Sequence, residues 1–208
     1  MISAQAKAGF ERIFFDAART RLAADSTCDI RPVAHDAGDA GDAGDAGDAG
    51  DAASATASRA TPRANARAAE HLAVLTISAL HFRLLLALNF RDDEATRRHF
   101  ASAMQAGGAQ RPLPEAFMEI ANLCCGAINQ ALTAAFPDLG MSTPYLLHGA
   151  SVDYLAALRP DHMAAYDVTL DGDVRIGATL CVCANAPVDF HVPETAAAVD
   201  AGGALELF

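Results

Sequence analysis

Six residues between Glu115 and Thr133 place polar chemistry at helical spacing. At 100° per residue, Glu115, Glu119, Asn122, Gly126, Asn129 and Thr133 fall within a sector about 80° wide. A carboxylate attracts cations. A carboxamide accepts and donates hydrogen bonds without carrying charge. Glycine in a helix interior costs about 1 kcal/mol against alanine, and Gly126 leaves a bare patch one turn beyond Asn122. Spacing alone also fits an ordinary solvated face whose glycine admits a neighbouring element.

The helix that must hold this stripe is predicted over residues 114 to 136. Pro114 suits its first turn, where a missing N–H costs nothing. Phe117, Ile120, Ala121, Cys124, Ile128, Ala131, Leu132 and Ala135 gather on the opposite side as the core stripe. Residues 8 to 25 predict another helix, with Phe10, Ile13, Phe14, Ala17, Ala18 and Leu22 on one face. Strands are predicted over Ala73–Ala79 and Phe82–Phe90. Asp92, Asp93 and Glu94 open a further helix to about Met104, stopped by Gly107 and Gly108. Three more strands fall near 143–149, 163–170 and 174–184. Asp171-Gly172-Asp173 forms a turn between the last two. The tail after Val188 is expected to add an edge strand. Helices and strands interleave over one core, so the fold class is α/β or α+β: a single domain of mixed or antiparallel sheet packed with long helices.

Residues 33–68 interrupt this pattern between the first helix and the first strand of the core. Six aspartates recur every third residue from Asp36 to Asp51, in DAG units without a large apolar side chain. Such a segment repels itself and cannot offset an ordering entropy of about 1–2 kcal/mol per residue. It reads as a disordered acidic linker. The alternative, a calcium-binding repeat, lacks the apolar anchor such repeats carry. Arg59, Arg63 and Arg67 follow at four-residue spacing, on an Ala-rich turn of helix or as neutralising charges.

Composition narrows the function. The formal net charge of −11 and a single lysine, Lys7, argue against a nucleic-acid binder, which needs a concentrated basic face. With 49 alanines set aside, enough larger apolar residues remain for one sizeable core. The most apolar stretch, Leu72 to Phe90, is broken by His81 and Arg83, so no membrane span is expected. The N-terminus lacks an export pattern. An odd count of five cysteines, 28, 124, 125, 181 and 183, without a CxxC, reads as reduced thiols in a cytoplasm. The seven histidines show no metal-ligand spacing, so no metal is assigned to this chain. Nucleotide-loop and serine-hydrolase motifs are absent from the sequence.

The run Glu119-Ile-Ala-Asn122-Leu-Cys-Cys-Gly126, with Pro144 22 residues beyond Asn122, resembles the signature of the CheC/CheX/FliY phosphatase family. That signature is Glu-x-x-Asn in a helix, a downstream glycine, and a proline that starts a strand. The order of elements over about residues 8–30 and 70–185 fits as well. One copy of the motif is similar to the CheX branch. Where the family has Asp or Ser four residues before the glutamate, this chain has Glu115, on the same face.

The resemblance implies a phosphatase that hydrolyses the aspartyl phosphate of a CheY-like response regulator, in chemotaxis or related two-component signalling. By the same carry-over, Asn122 holds the attacking water, and Glu119 pairs with a lysine in the regulator's active site. Glu115, Gly126 and Asn129 meet the partner, and Pro144 sets the strand entry. Mg²⁺ is expected in the partner, with no cofactor bound by this chain. The CheX branch further implies a homodimer through sheet edges. The competing reading is a non-catalytic module that docks a receiver domain or another signalling protein through the same helix.

Overall fold

The structure, a computed structural model, describes residues 1–23, 26–33, 70–106, 108 and 110–192. The acidic linker and the arginines at 59, 63 and 67 lie outside the described residues.

Helix α1 (Ala4–Ala17) opens on Ser3, whose Oγ accepts from the Ala6 N–H at 3.0 Å, a side-chain N-cap. It runs into one π-helical turn, Ala18–Leu22, closed by Ala23 N–H to the Ala18 carbonyl at 3.1 Å. All six residues of its predicted apolar face are buried.

One sheet receives that face. It is built from β1 (Cys28–Pro32), β2 (Glu70–Ser78), β3 (Phe82–Arg91), β4 (Gly140–Met141), β5 (Tyr145–His148), β6 (His162–Leu170) and β7 (Val174–Ala184). Every pairing is antiparallel, in the order β1-β6-β7-β3-β2, with β4 and β5 sharing the outer edge of β2. Strand alternation sends Ala73, Leu75 and Ile77 of β2, Phe82 to Phe90 at even positions of β3, and Val174 to Val182 at even positions of β7 into the main core. On the other face, Leu72, Val74 and Ala87 pack against Leu155. That residue belongs to a 3₁₀ segment, Gly149–Leu158, lying over the sheet.

The β6–β7 hairpin is turned as expected, with Asp171 at φ 49° and Gly172 at φ 83°, the left-handed region that glycine tolerates best. Asp171 also accepts from the Thr27 N–H at 3.0 Å, which ties the hairpin to β1.

The structure differs from the sequence reading in five places. Strand β1 was not expected, because only Cys28 and Ile30 of its five residues are partly covered and its apolar pattern is faint. The helix expected over 92–104 is broken at Phe100 into α2 (Glu94–His99) and α3 (Ala101–Met104). There Phe100 turns inward to meet Phe117 at a ring distance of 5.5 Å. The strand near 143–149 is two short pieces followed by the 3₁₀ segment. The edge strand after Val188 reduces to one parallel bridge between Ile2 and Val188. Finally, α4 (Leu113–Leu132) ends four residues early, which leaves Ala135 exposed beyond it, and Ala131 in its last turn is exposed rather than core.

Candidate functional site

Helix α4 carries the stripe, and its rotation is set by packing. Phe117 stacks on Phe90 of β3 at 3.9 Å and 23° and meets Phe100 edge-on. Leu113, Ala116, Ile120, Ala121, Cys124, Cys125, Ile128 and Leu132 complete the buried side. Such stacked and edge-on aromatic pairs are worth about 0.5–1.5 kcal/mol each beyond their burial. Rotating the helix would forfeit them.

The polar stripe therefore faces outward. Glu115 and Glu119 are exposed, and Asn122, Gly126 and Asn129 are half-buried along the same side. Among the described residues, neither the Glu119 carboxylate nor the Asn122 amide has a hydrogen-bond or ion-pair partner. Glu119 and Gly126 are about 10 Å apart along the axis, at 1.5 Å per residue. The helix contains no lysine or arginine, so the charged groups on its outer face are all acidic. Asn129 differs from the other stripe residues: its Oδ1 is enclosed and meets no donor among the described residues, which turns that acceptor away from an outside partner. Pro144 directly precedes β5, the strand entry assigned to it.

Gly126 separates the two readings that spacing left open. A Cβ placed there would meet nothing within 4 Å. No described element of the chain comes close, so among the described residues the glycine admits no neighbour.

One residue of this face went unremarked in the sequence. Leu123 is 56% exposed and lies 40° around the helix from Glu119. The signal was available: at 100° per residue, a leucine falls beside the polar stripe, outside the core sector.

A cavity of about 750 Å³ beside the helix, lined by Arg21, Arg98, His99 and Asp171 among others, takes only Ile120 from α4. A concave site is the usual home of a small-molecule substrate, and the stripe residues do not line that cavity. What it can do is enter another molecule's cleft and present there one carboxylate and one amide.

The paired cysteines behind the stripe are not reactive groups. Cys124 and Cys125 are fully buried, and burial pushes both thiols up to about 12. A nucleophilic cysteine needs the opposite shift. All five cysteines are free. Among the described residues no three of His, Cys, Asp and Glu gather to hold a metal ion, and no helix is long and apolar enough to cross a membrane.

No family model matches the chain, and no curated protein matches it in sequence. Solved structures similar to it include the chemotaxis protein CheX from Vibrio vulnificus, at 14% identity and a TM-score of 0.49, covering 86% of this chain and 99% of that one. A CheX–CheY–BeF₃–Mg²⁺ complex from Borrelia burgdorferi is similar at 10% identity and 0.48, covering 84% and 95%. A CheC-like superfamily protein from Shewanella sp. PV-4 is similar at 9% and 0.47, covering 83% and 96%. At such identities and scores the likeness says nothing of activity.

Proposed function

We propose that this chain is a phosphatase of the aspartyl phosphate on a CheY-like response regulator, acting in the cytoplasm in chemotaxis or related two-component signalling. The observation that carries the reading is the open space at Gly126: a mid-helix glycine with no described residue beside it, flanked by an outward acid and an outward amide that have no partner among the described residues. Such a face is shaped for an external surface at close range.

The chemistry is divided between two chains. The phosphorylated aspartate and its Mg²⁺ belong to the regulator. Hydrolysis there needs a water in line with the P–O bond. The Asn122 amide accepts from that water and fixes its orientation. Glu119, one turn away and negatively charged, pairs with a cation beside the regulator's phosphoryl site and docks the helix. Gly126 lets the regulator's surface approach the helix backbone. Glu115 adds a second negative charge on the docking side.

The test is single-turnover dephosphorylation of a panel of phosphorylated receiver domains. Wild-type protein should accelerate loss of phosphate from at least one of them. Asn122→Ala should lower that rate by about 10²–10³, as for one positioned polar group in an active site, and leave binding nearly unchanged because the amide acts in the transition state. Binding without acceleration by the wild type would replace this reading with the non-catalytic docking module.

A homodimer through sheet edges is also proposed, on the character of β5. Its residues Tyr145, Leu146 and Leu147 are exposed apolar groups. β5 pairs with β2 alone, whereas the opposite edge strand, β1, ends in Pro32 and carries Asp29 and Arg31. An apolar free edge recruits another strand, while a charged, proline-bearing one deters it. Sedimentation should show a dimer that Leu146→Lys dissociates.

A further inference from the structure

Three sulfur-bearing side chains share one face of the sheet, away from α4. Cys181 and Cys183 are next-but-one on β7, so both point to the 3₁₀-covered side. Met163 of β6 stands directly opposite Cys181 in the antiparallel register, where cross-strand Cβ atoms are about 4.5–5.5 Å apart. Cys181 is fully buried, and the Cys183 thiol donates toward the Leu158 carbonyl oxygen of the cover at 4.0 Å. Met163 packs beside Leu155 and Val152 of the cover. Cys183 is half-buried and opens onto a cavity of about 580 Å³, lined also by Arg83, Leu85, Ser142 and Leu158. Arg83 is the cross-strand partner of Cys183 on that face.

This geometry discriminates between uses of a thiol pair. Same-face neighbours on a strand lie two rises apart, about 6.6 Å. A disulfide needs Cβ atoms about 3.5–4.5 Å apart, so the pair cannot cross-link without buckling β7. A metal ion between the sulfurs adds two bonds of about 2.3 Å each, the length of a zinc–thiolate bond, and spans the gap with the strand intact. A zinc site would need four hard or borderline ligands, and the described residues do not supply them. Thiolate with thioether is the soft set that selects Cu(I).

We propose that Cys181 and Cys183, with Met163 as a weaker third ligand, form a site for a soft monovalent metal ion of the Cu(I) class, entered from the Cys183 side. On binding, each thiol that ligates loses its proton to solvent, and the ion keeps its oxidation state. Arg83 lies where it offsets the negative charge of a bis-thiolate complex.

The test is anaerobic titration of the reduced full-length protein with Cu(I) held by a chromophoric chelator. One equivalent should leave the chelator and give an ultraviolet thiolate-to-copper band. Cys183→Ser should weaken uptake more than about tenfold, since even outer-sphere changes cost 10–100-fold at metal sites. Met163→Leu should weaken it less, and Cys28→Ser and Cys125→Ala should leave it unchanged. Should Cys183→Ser fold poorly by circular dichroism, Cys183→Ala replaces it. The proposal is overturned if wild-type protein takes no copper from the chelator, if uptake accompanies loss of secondary structure, or if folded variants at Cys183 keep the full equivalent.

Discussion

Replacing Gly126 by alanine should raise stability and lower activity at once. In a helix interior, alanine is favoured over glycine by roughly 0.5–1 kcal/mol through backbone entropy alone. Nothing in the described fold lies within 4 Å of the added methyl, so no clash offsets the gain. For a chain of about this size, 1 kcal/mol moves the thermal midpoint by roughly 2–4 °C, so a rise of about 1–4 °C is expected. If a regulator's surface seats against the bare backbone, the same methyl intrudes on a close contact. Overfilling a packed contact costs about 1–3 kcal/mol, a factor of about 5–150 in association. Gly126→Leu should lose still more binding while remaining folded. The assays are denaturant unfolding of each variant and single-turnover dephosphorylation over a range of protein concentration. Lower stability in Gly126→Ala would mean an element of the chain does fill that space. Full turnover in a stable Gly126→Leu variant would mean no partner approaches there, and the docking face would have to be sought elsewhere.

Glu119→Ala should weaken both association with a phosphorylated receiver and turnover, and Glu119→Lys should do worse by placing like charges together. Its side chain is exposed and has no partner among the described residues, so neither change should cost more than about 0.5 kcal/mol of stability; surface-plasmon binding beside urea titration checks both. Asp93 caps α2, accepting from the Thr96 N–H at 2.9 Å and its hydroxyl at 2.8 Å, and Asp93→Ala should cost about 1 kcal/mol. The Thr96 N–H holds the Asp93 carboxyl below its ordinary value. This cap's contribution is therefore complete above the unfolded carboxyl's range and is lost as pH falls through the lower, folded value. In unfolding titrations, the gap between wild type and Asp93→Ala should close below about pH 4. Thiol labelling of the native protein should reach Cys28 and Cys183 first and Cys124 and Cys125 only on unfolding. Rapid native-state labelling of Cys124 with loss of turnover would point instead to a cysteine nucleophile.

The motif helix was legible because its two stripes obey one period. A core stripe of Phe117, Ile120, Cys124, Ile128 and Leu132 leaves only one direction for Glu119 and Asn122. The long strands β2, β3, β6 and β7 were legible for the matching reason, apolar runs bounded by turn residues. Where the sequence misled, tertiary contacts outweighed local pattern. Phe100 breaks a helix that its neighbours favour because its ring is drawn into the cluster with Phe117. β1 is held by pairing with β6 and by the Asp171–Thr27 contacts, not by its own alternation. Leu132 ends α4 although Ala134 and Ala135 would extend it, because Phe136 turns back onto Phe82 at a ring distance of 4.9 Å. Spacing could place Gly126 on the polar face but could not show that the space beside it is empty, which depends on elements distant in sequence.

The exposure of the face bears on how its chemistry divides under the proposed function. The helix holds no basic residue, and only Ile120 of its side chains lines the cavity beside it, so α4 itself offers a phosphoryl group no cation. It can add only what a partner lacks, here one oriented amide and one docking charge. Catalysis of that kind depends on direction, since an amide displaced by about 1 Å forfeits much of its effect. The fold supplies direction through the rear of the helix. Phe117 is wedged between Phe90 and Phe100, and the small buried thiols of Cys124 and Cys125 lie behind the next turn. Under the proposed function, the residues that aim Asn122 at a water are therefore the apolar ones on the opposite side, which fix α4 by its packing on the sheet.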